Sequence, residues 1–252
     1  MAHTCRHCNA TFETKIKFCT SCGKPFEQPK VDTRAQSLNV IIVFYVIFLL
    51  YTVVTHLLFT EYPTSLGVEI IIESVFAALV IGFSILDYKS VLKLYQLPKV
   101  DWKILVFTFV FPVFTAFTVS IAVEYINDFL FEVENGNYLE DYLYLDYPLL
   151  WAFLFIAITP PIFEELAFRG FLFNRLQKVT SEKITIVATA FIFALVHFSF
   201  ISLIWIFPFG LILGYIRSKY NTLWYGIIIH FIHNFIVLMI DYYSYNAALF
   251  EV

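Results

Sequence analysis

"LNVIIVFYVIFLLYTVVTHLLF" (Leu38–Phe59) contains no acidic residue, no lysine and no arginine; its one basic side chain is His56. A helix crossing the roughly 30 Å hydrocarbon core of a bilayer needs about 20 consecutive apolar residues, so this run reads as a membrane span. Comparable runs follow at Leu66–Leu86 and Ile104–Tyr125, from Pro148 onward, and at Ile184–Phe200, Ile201–Ile216 and Thr222–Tyr243. The sixth is short and interrupted by Pro208, Gly210 and Gly214. The 252 residues are 60% hydrophobic and 14% charged, against about 45–50% and about 25% in soluble domains. These features predict an all-α polytopic membrane protein with about seven transmembrane helices. There is no basic domain and no glycine-rich phosphate loop, so nucleic acid is not an expected partner.

The chain opens differently, with "CRHCNATFETKIKFCTSCGKPF" (Cys5–Phe26), which lacks the basic start and apolar run of a signal peptide. All four cysteines lie here, as two C-x2-C pairs: Cys5, Cys8, Cys19 and Cys22. Each pair forms a knuckle that aims two thiolates at one point, and two knuckles complete a tetrahedral structural zinc site. Gly23 supplies the left-handed turn such knuckles favour. His3 and His7 are rival ligands, but four thiolates already close the site. Residues 1–28 are therefore expected to form a small β-hairpin zinc ribbon, too small to build a core without its metal. A polar linker over 29–37 leads to the membrane domain, 38–252.

Lysine and arginine favour the cytosolic side of a membrane. Threading seven spans with the ribbon inside places fifteen of the sixteen basic residues in cytosolic segments, Arg217 and Lys219 among them; Arg169 is the exception. The longest outside loop, Asn127–Tyr147, is acidic, with Asp128, Glu132, Glu134, Glu140, Asp141 and Asp146. The expected location is the cell membrane, with a cytosolic ribbon and the C-terminus outside.

Ionisable groups inside spans are costly and mark function by default. "PPIFEELAFRGFLF" (Pro160–Phe173) holds Glu164, Glu165 and Arg169, and later runs hold His197, His230, His233 and Asn234. If the fourth helix is unbroken, Glu164, His197 and Asn234 lie roughly 19–21 Å from their cytosolic ends and His230 roughly 14 Å, at about 1.5 Å per residue. Glu165 and Arg169, Phe193 and His197, and His230 and Asn234 are each four apart and share a helix face. Glu164 is rotated from Glu165 by about 100° and is free to face the interior separately. Pro160 and Pro161 can bend the helix and free carbonyls. His233 is expected to pack or hydrogen-bond within its own helix. His56, Glu69, Glu73 and Glu124 are expected at interfaces or in pairs across helices.

Glu164-Glu165-x-x-x-Arg169, Phe193-x-x-x-His197 and His230-x-x-x-Asn234, in that order, resemble the CAAX-protease and bacteriocin-processing family of intramembrane proteases, also called the abortive-infection family. The core motifs fall within 148–241. The resemblance implies an intramembrane endopeptidase in which Glu164 activates water as general base and later acid, with His197 holding the same water. His230 and Asn234 would donate to the oxyanion. Alternatively, Glu164, His197 and His230 would ligate a catalytic zinc ion. Glu165 and Arg169 would set the helix as an ion pair, with Phe193 in support. The expected partners are membrane lipid, a peptide or membrane-protein substrate, and a protein partner for the ribbon. A CAAX substrate does not follow from the family's name; a peptide pheromone, leader peptide or bacteriocin precursor fits equally. The other reading is a non-catalytic scaffold or bacteriocin self-immunity protein that recruits a partner through the ribbon. No inverted repeat of broken helices points to a transporter.

Overall fold

A computed structural model describes residues 3–5, 7–13, 16, 18–24, 33–62, 65–98, 100–126, 137–197 and 200–250. The side chain of Glu124, the loop acids Asp128, Glu132 and Glu134, the ring of His3, and Arg6, Lys15, Lys17, Lys30 and Lys99 lie outside the described residues. The chain divides into two compact units, Met1–Gln36 and Ser37–Val252.

In the first unit, β1 (His3–Thr4) pairs antiparallel with β2 (Thr11–Phe12), Thr4 opposite Thr11. The two cysteine knuckles are built alike. The Cys5 N–H donates to the Ala10 carbonyl and the Asn9 N–H to Cys5; the Cys19 N–H donates to Lys24 and the Gly23 N–H to Cys19. The residue after each second cysteine takes a left-handed conformation, Asn9 at φ 57° and Gly23 at φ 70°. Glycine and asparagine are the residues that tolerate this region.

The second unit is helical. Its elements are α1 (Thr33–Glu61, which begins just before the unit does), α2 (Leu66–Ile85), α3 (Tyr88–Lys93) and α4 (Trp102–Ile126). A 3₁₀ turn at Glu140–Tyr142 precedes α5, a continuous helix from Pro148 to Leu176. Then come α6 (Glu182–Leu195), α7 (Phe200–Tyr220) and α8 (Trp224–Phe250). Among the described residues, five helical stretches are long and apolar enough to cross a membrane: Arg34–Glu61, Leu66–Ile85, Trp102–Ala122, Pro148–Leu176 and Trp224–Ala247. The other two expected spans are present as the helices α6 and α7. α6 has 14 residues, about 21 Å of helix, and the last turn of α7 is polar, with Arg217 and Lys219. The two pack extensively on each other.

α5 is the central helix. Leu166, Ala167, Phe168, Phe171 and Leu172 join one buried cluster with Phe44 and Phe48 of α1, Val80 of α2, Phe193 of α6 and Leu223 at the start of α8. Its basic end is tied to the end of α2, where Lys178 Nζ meets Asp87 Oδ2 at 2.9 Å and Arg175 donates to the Leu86 carbonyl at 2.8 Å. α8 is anchored at both ends. The Leu223 N–H and Trp224 Nε1 donate to the carbonyls of Leu94 and Tyr95. Near the other end, Asn137 Nδ2 and the Tyr138 N–H donate to Asp241. α1 and α4 expose large side chains such as Ile42, Leu50, Phe109 and Phe114, the surface expected of helices solvated by lipid tails.

Candidate active site

Pro160 and Pro161 have no N–H for the carbonyls one turn back. α5 accommodates this by changing register. Pro148–Ala152, Thr159–Glu164 and Phe173–Leu176 are α-helical, whereas Phe153–Ile158 and Glu165–Leu172 are π-helical. The Ile156 carbonyl, four residues before Pro160, accepts instead from Asn234 Nδ2 on α8 at 2.9 Å. Thr159 Oγ1 adds a bond to the Leu154 carbonyl at 2.8 Å.

The second π stretch begins between the two glutamates. A π turn has more residues than an α turn, so consecutive side chains diverge less. Both carboxylates consequently reach one imidazole: Glu164 Oε2 lies 3.8 Å from His230 Nε2, and Glu165 Oε1 lies 3.5 Å from His230 Nδ1. This corrects the expectation of a regular α-helix with Glu164 turned away from Glu165.

Arg169 and Glu165 are completely buried and pair at 2.8 Å. Arg169 also donates to the Gly210 carbonyl at 3.3 Å, and its guanidinium lies 4.2 Å from the Phe193 ring centroid. Two glycines make room for the pair. A Cβ on Gly226 would stand 2.5 Å from Glu165 Oε2, and one on Gly210 would stand 3.2 Å from Arg169 and 3.1 Å from Ala190.

Phe193 meets His197 and His230 edge to face, at 5.0 and 6.0 Å between centroids. His197 is exposed at the end of α6, with Nδ1 2.7 Å from the Phe193 carbonyl. A carbonyl only accepts, so Nδ1 carries the hydrogen and Nε2 of the neutral ring is an acceptor. Thus Glu164, Glu165, Arg169, Phe193 and His230 are gathered. Asn234 lies one turn along α8 on the Ile156 carbonyl, and His197 joins through Phe193. His233 bonds across to Thr115 of α4 at 3.0 Å rather than within its own helix. Glu69 accepts from Tyr144 at 3.0 Å, and Glu73 is within electrostatic reach of Glu164.

Arg217, expected in a cytosolic segment, is buried. Nε donates to the Arg169 carbonyl at 2.8 Å, and the terminal nitrogens donate to Asn221 and Asn174. Sequence reading missed it, as it missed Gly210 and Gly226, because a single basic residue near a helix end looks like a topology marker.

Among the described residues, one group of three or more ligand-type side chains converges as a metal would need: Cys5, Cys8, Cys19 and Cys22, whose sulfurs all lie within 4.8 Å of one another. Two of the separations are 3.8 Å (Cys5–Cys22) and 3.5 Å (Cys8–Cys19). Tetrahedral bonds of about 2.3 Å to a central ion require edges of about 3.8 Å, whereas a disulfide is only about 2.05 Å long. The four cysteines fit a metal. Glu164, His197 and His230 are not such a converging group as placed.

All the motif residues fall in one segment that matches a known family. Residues 146–236 match the Rce1-like family, type II CAAX prenyl endopeptidase Rce1-like. The matched segment runs from just before α5 to the middle of α8. The match supports, at family level, a protease embedded in a membrane and acting on a peptide or protein substrate there. No curated protein and no solved structure shows a significant match to the chain.

Proposed function

We propose that this protein is an intramembrane endopeptidase in which Glu164 activates the attacking water. The observation that carries the reading is the pair of carboxylates of unlike burial on the two nitrogens of His230. Glu165 is sealed against Arg169, whereas the side chain of Glu164 keeps 19% of its surface open and is the one a water and a peptide carbonyl can reach. In the reaction, water oxygen bonds to the scissile carbonyl carbon while Glu164 takes its proton. The tetrahedral intermediate collapses as Glu164 returns that proton to the leaving amine. His230 donates to the oxyanion. Asn234 commits one N–H to the Ile156 carbonyl and has a second for the same oxyanion. His197 Nε2 accepts from the water at the rim, and the Glu165–Arg169 pair, braced by Phe193, holds Glu164 in place. The Glu165 contact with His230 Nδ1, 3.5 Å long, tightens when substrate excludes water, which leaves Nε2 to donate to the oxyanion.

The cysteine unit is proposed to hold structural zinc in the cytosol, with the C-terminus outside, following the distribution of lysine and arginine. The substrate is a membrane-associated peptide or protein, prenylated or not. The test is terminal-peptide proteomics on membranes from cells carrying wild type or Glu164→Gln at equal levels. New termini found only with the wild type are expected and would identify the substrate. Identical termini in both would remove the protease reading.

A further inference from the structure

Each π stretch of α5 presents a carbonyl that a side chain of another helix bonds. At the first, Asn234 fills the place of the N–H that Pro160 lacks. At the second there is no proline. Here the Phe173 N–H reaches the carbonyls of Gly170 and Phe168 and passes over that of Arg169. The Arg169 carbonyl accepts from Arg217 Nε, 48 residues away on α7.

Arg217 is an unusual residue to bury. It is 4% exposed, and among the described contacts its guanidinium meets no carboxylate. Its partners are one backbone carbonyl, the Asn221 and Asn174 side-chain oxygens at 3.0 and 2.8 Å, and the Phe173 ring 5.1 Å away. Desolvating a cation without an opposite charge is costly, and hydrogen bonds alone offset it only in part. The contact falls on the turn that closes the π stretch, at the residue whose side chain holds Glu165. We infer that Arg217 is a positioning residue for the reaction. It bonds the carbonyl left over where the helix returns from π to α, and so holds the register in which Glu164 and Glu165 both face His230. Asn174 and Asn221 orient its guanidinium. The inference deepens the protease reading and rests on it for its catalytic consequence, though not for its structural one.

The experiment uses the full-length protein in lipid nanodiscs, comparing wild type, Arg217→Gln, Arg217→Lys and, as an exposed neighbour, Lys219→Gln. Two readouts are taken: cleavage of a quenched, farnesylated CAAX peptide, and the ¹⁵N signals of the His230 ring, assigned by His230→Gln. Arg217→Gln is expected to lower kcat by about 10- to 100-fold, the scale of a small misplacement of reacting groups, with KM little changed and the His230 signals shifted. Arg217→Lys, which keeps one donor for the Arg169 carbonyl, should recover part of both, and Lys219→Gln should alter neither. Wild-type kcat and unshifted His230 signals in Arg217→Gln would overturn the inference. So would a loss of stability in Arg217→Lys with the His230 signals unmoved. If Arg217→Gln does not fold, Arg217→Lys decides by the same two readouts. The two claims fail separately. A wild type that shows no Glu164-dependent cleavage of any substrate removes the protease reading, whereas the His230 signals read the register without turnover.

Discussion

Gly226 shows how tightly the site is drawn. Any side chain there meets Glu165 Oε2, because the added Cβ would be 2.5 Å away. Gly226→Ala must therefore shift the Glu165 carboxylate or move α8 off α5. The expected cost is about 1–3 kcal/mol, the usual range for overpacking, together with loss of turnover. Thermal unfolding in detergent and a cleavage assay would check both; wild-type values in each would show that the gap is not needed. Arg169→Ala is harsher, since it leaves Glu165 buried without a counter-charge, at about 3–5 kcal/mol. The expected result is a marked fall in folded yield. Arg169→Lys is expected to rescue it incompletely, because one ammonium cannot span Glu165 and the Gly210 carbonyl while stacking on Phe193. The Glu165–Arg169 contact was legible in the sequence because residues four apart meet on any helix. The stacking of Arg169 on Phe193, 24 positions later, was not.

At the scale of the element, α5 departs from the regular helix its apolar pattern suggests. Proline in a helix interior costs about 3 kcal/mol, yet Pro160 and Pro161 stand in the middle of the central helix, and the adjacent π stretch accommodates them. Pro160→Ala restores an N–H beneath the Ile156 carbonyl, where it competes with Asn234 and lets the helix relax toward α register. The expected outcome is a protein at least as heat-stable as the wild type but slower in cleavage. Wild-type turnover in this variant would show that the first π stretch has no part in placing Glu164. The prolines were visible as a perturbation in the sequence. The shift to π register was not, because hydrophobic spacing near 3.6 residues hardly differs from that of a helix widened over six or eight. The division into α6 and α7 was expected at Phe200–Ile201, but α6 ends earlier, at Leu195. What shortens α6 is an end near His197 rather than a break in hydrophobicity.

At the scale of the molecule, the two units have different sources of stability. Ser37–Val252 is held by helix packing. The described residues of the knuckle unit include two short strands and a handful of backbone bonds, so its fold is expected to depend on a bound metal. Chelation is expected to unfold residues 1–24 and make the four thiols reactive while leaving the helical unit intact. Mass spectrometry after alkylation, alongside far-ultraviolet circular dichroism, would read this; thiols that stay protected without metal would contradict it. In intact cells, an impermeant maleimide should label these cysteines only after permeabilisation and chelation. Labelling from outside would reverse the proposed orientation.

Composition and local spacing alone determined the membrane class, the paired cysteine knuckles, the order of the motifs and the i,i+4 ion pair. Each depends on residues close in the chain, where helix and turn geometry leave few choices. Tertiary structure decided the rest: both glutamates on one imidazole, Phe193 between Arg169 and two histidines, and Arg217 on the carbonyl of Arg169. Those contacts join helices whose relative rotation is set by packing, and nothing in a local pattern encodes that rotation. A lone arginine at a helix end has the same spacing whether it faces water or closes a turn of the central helix.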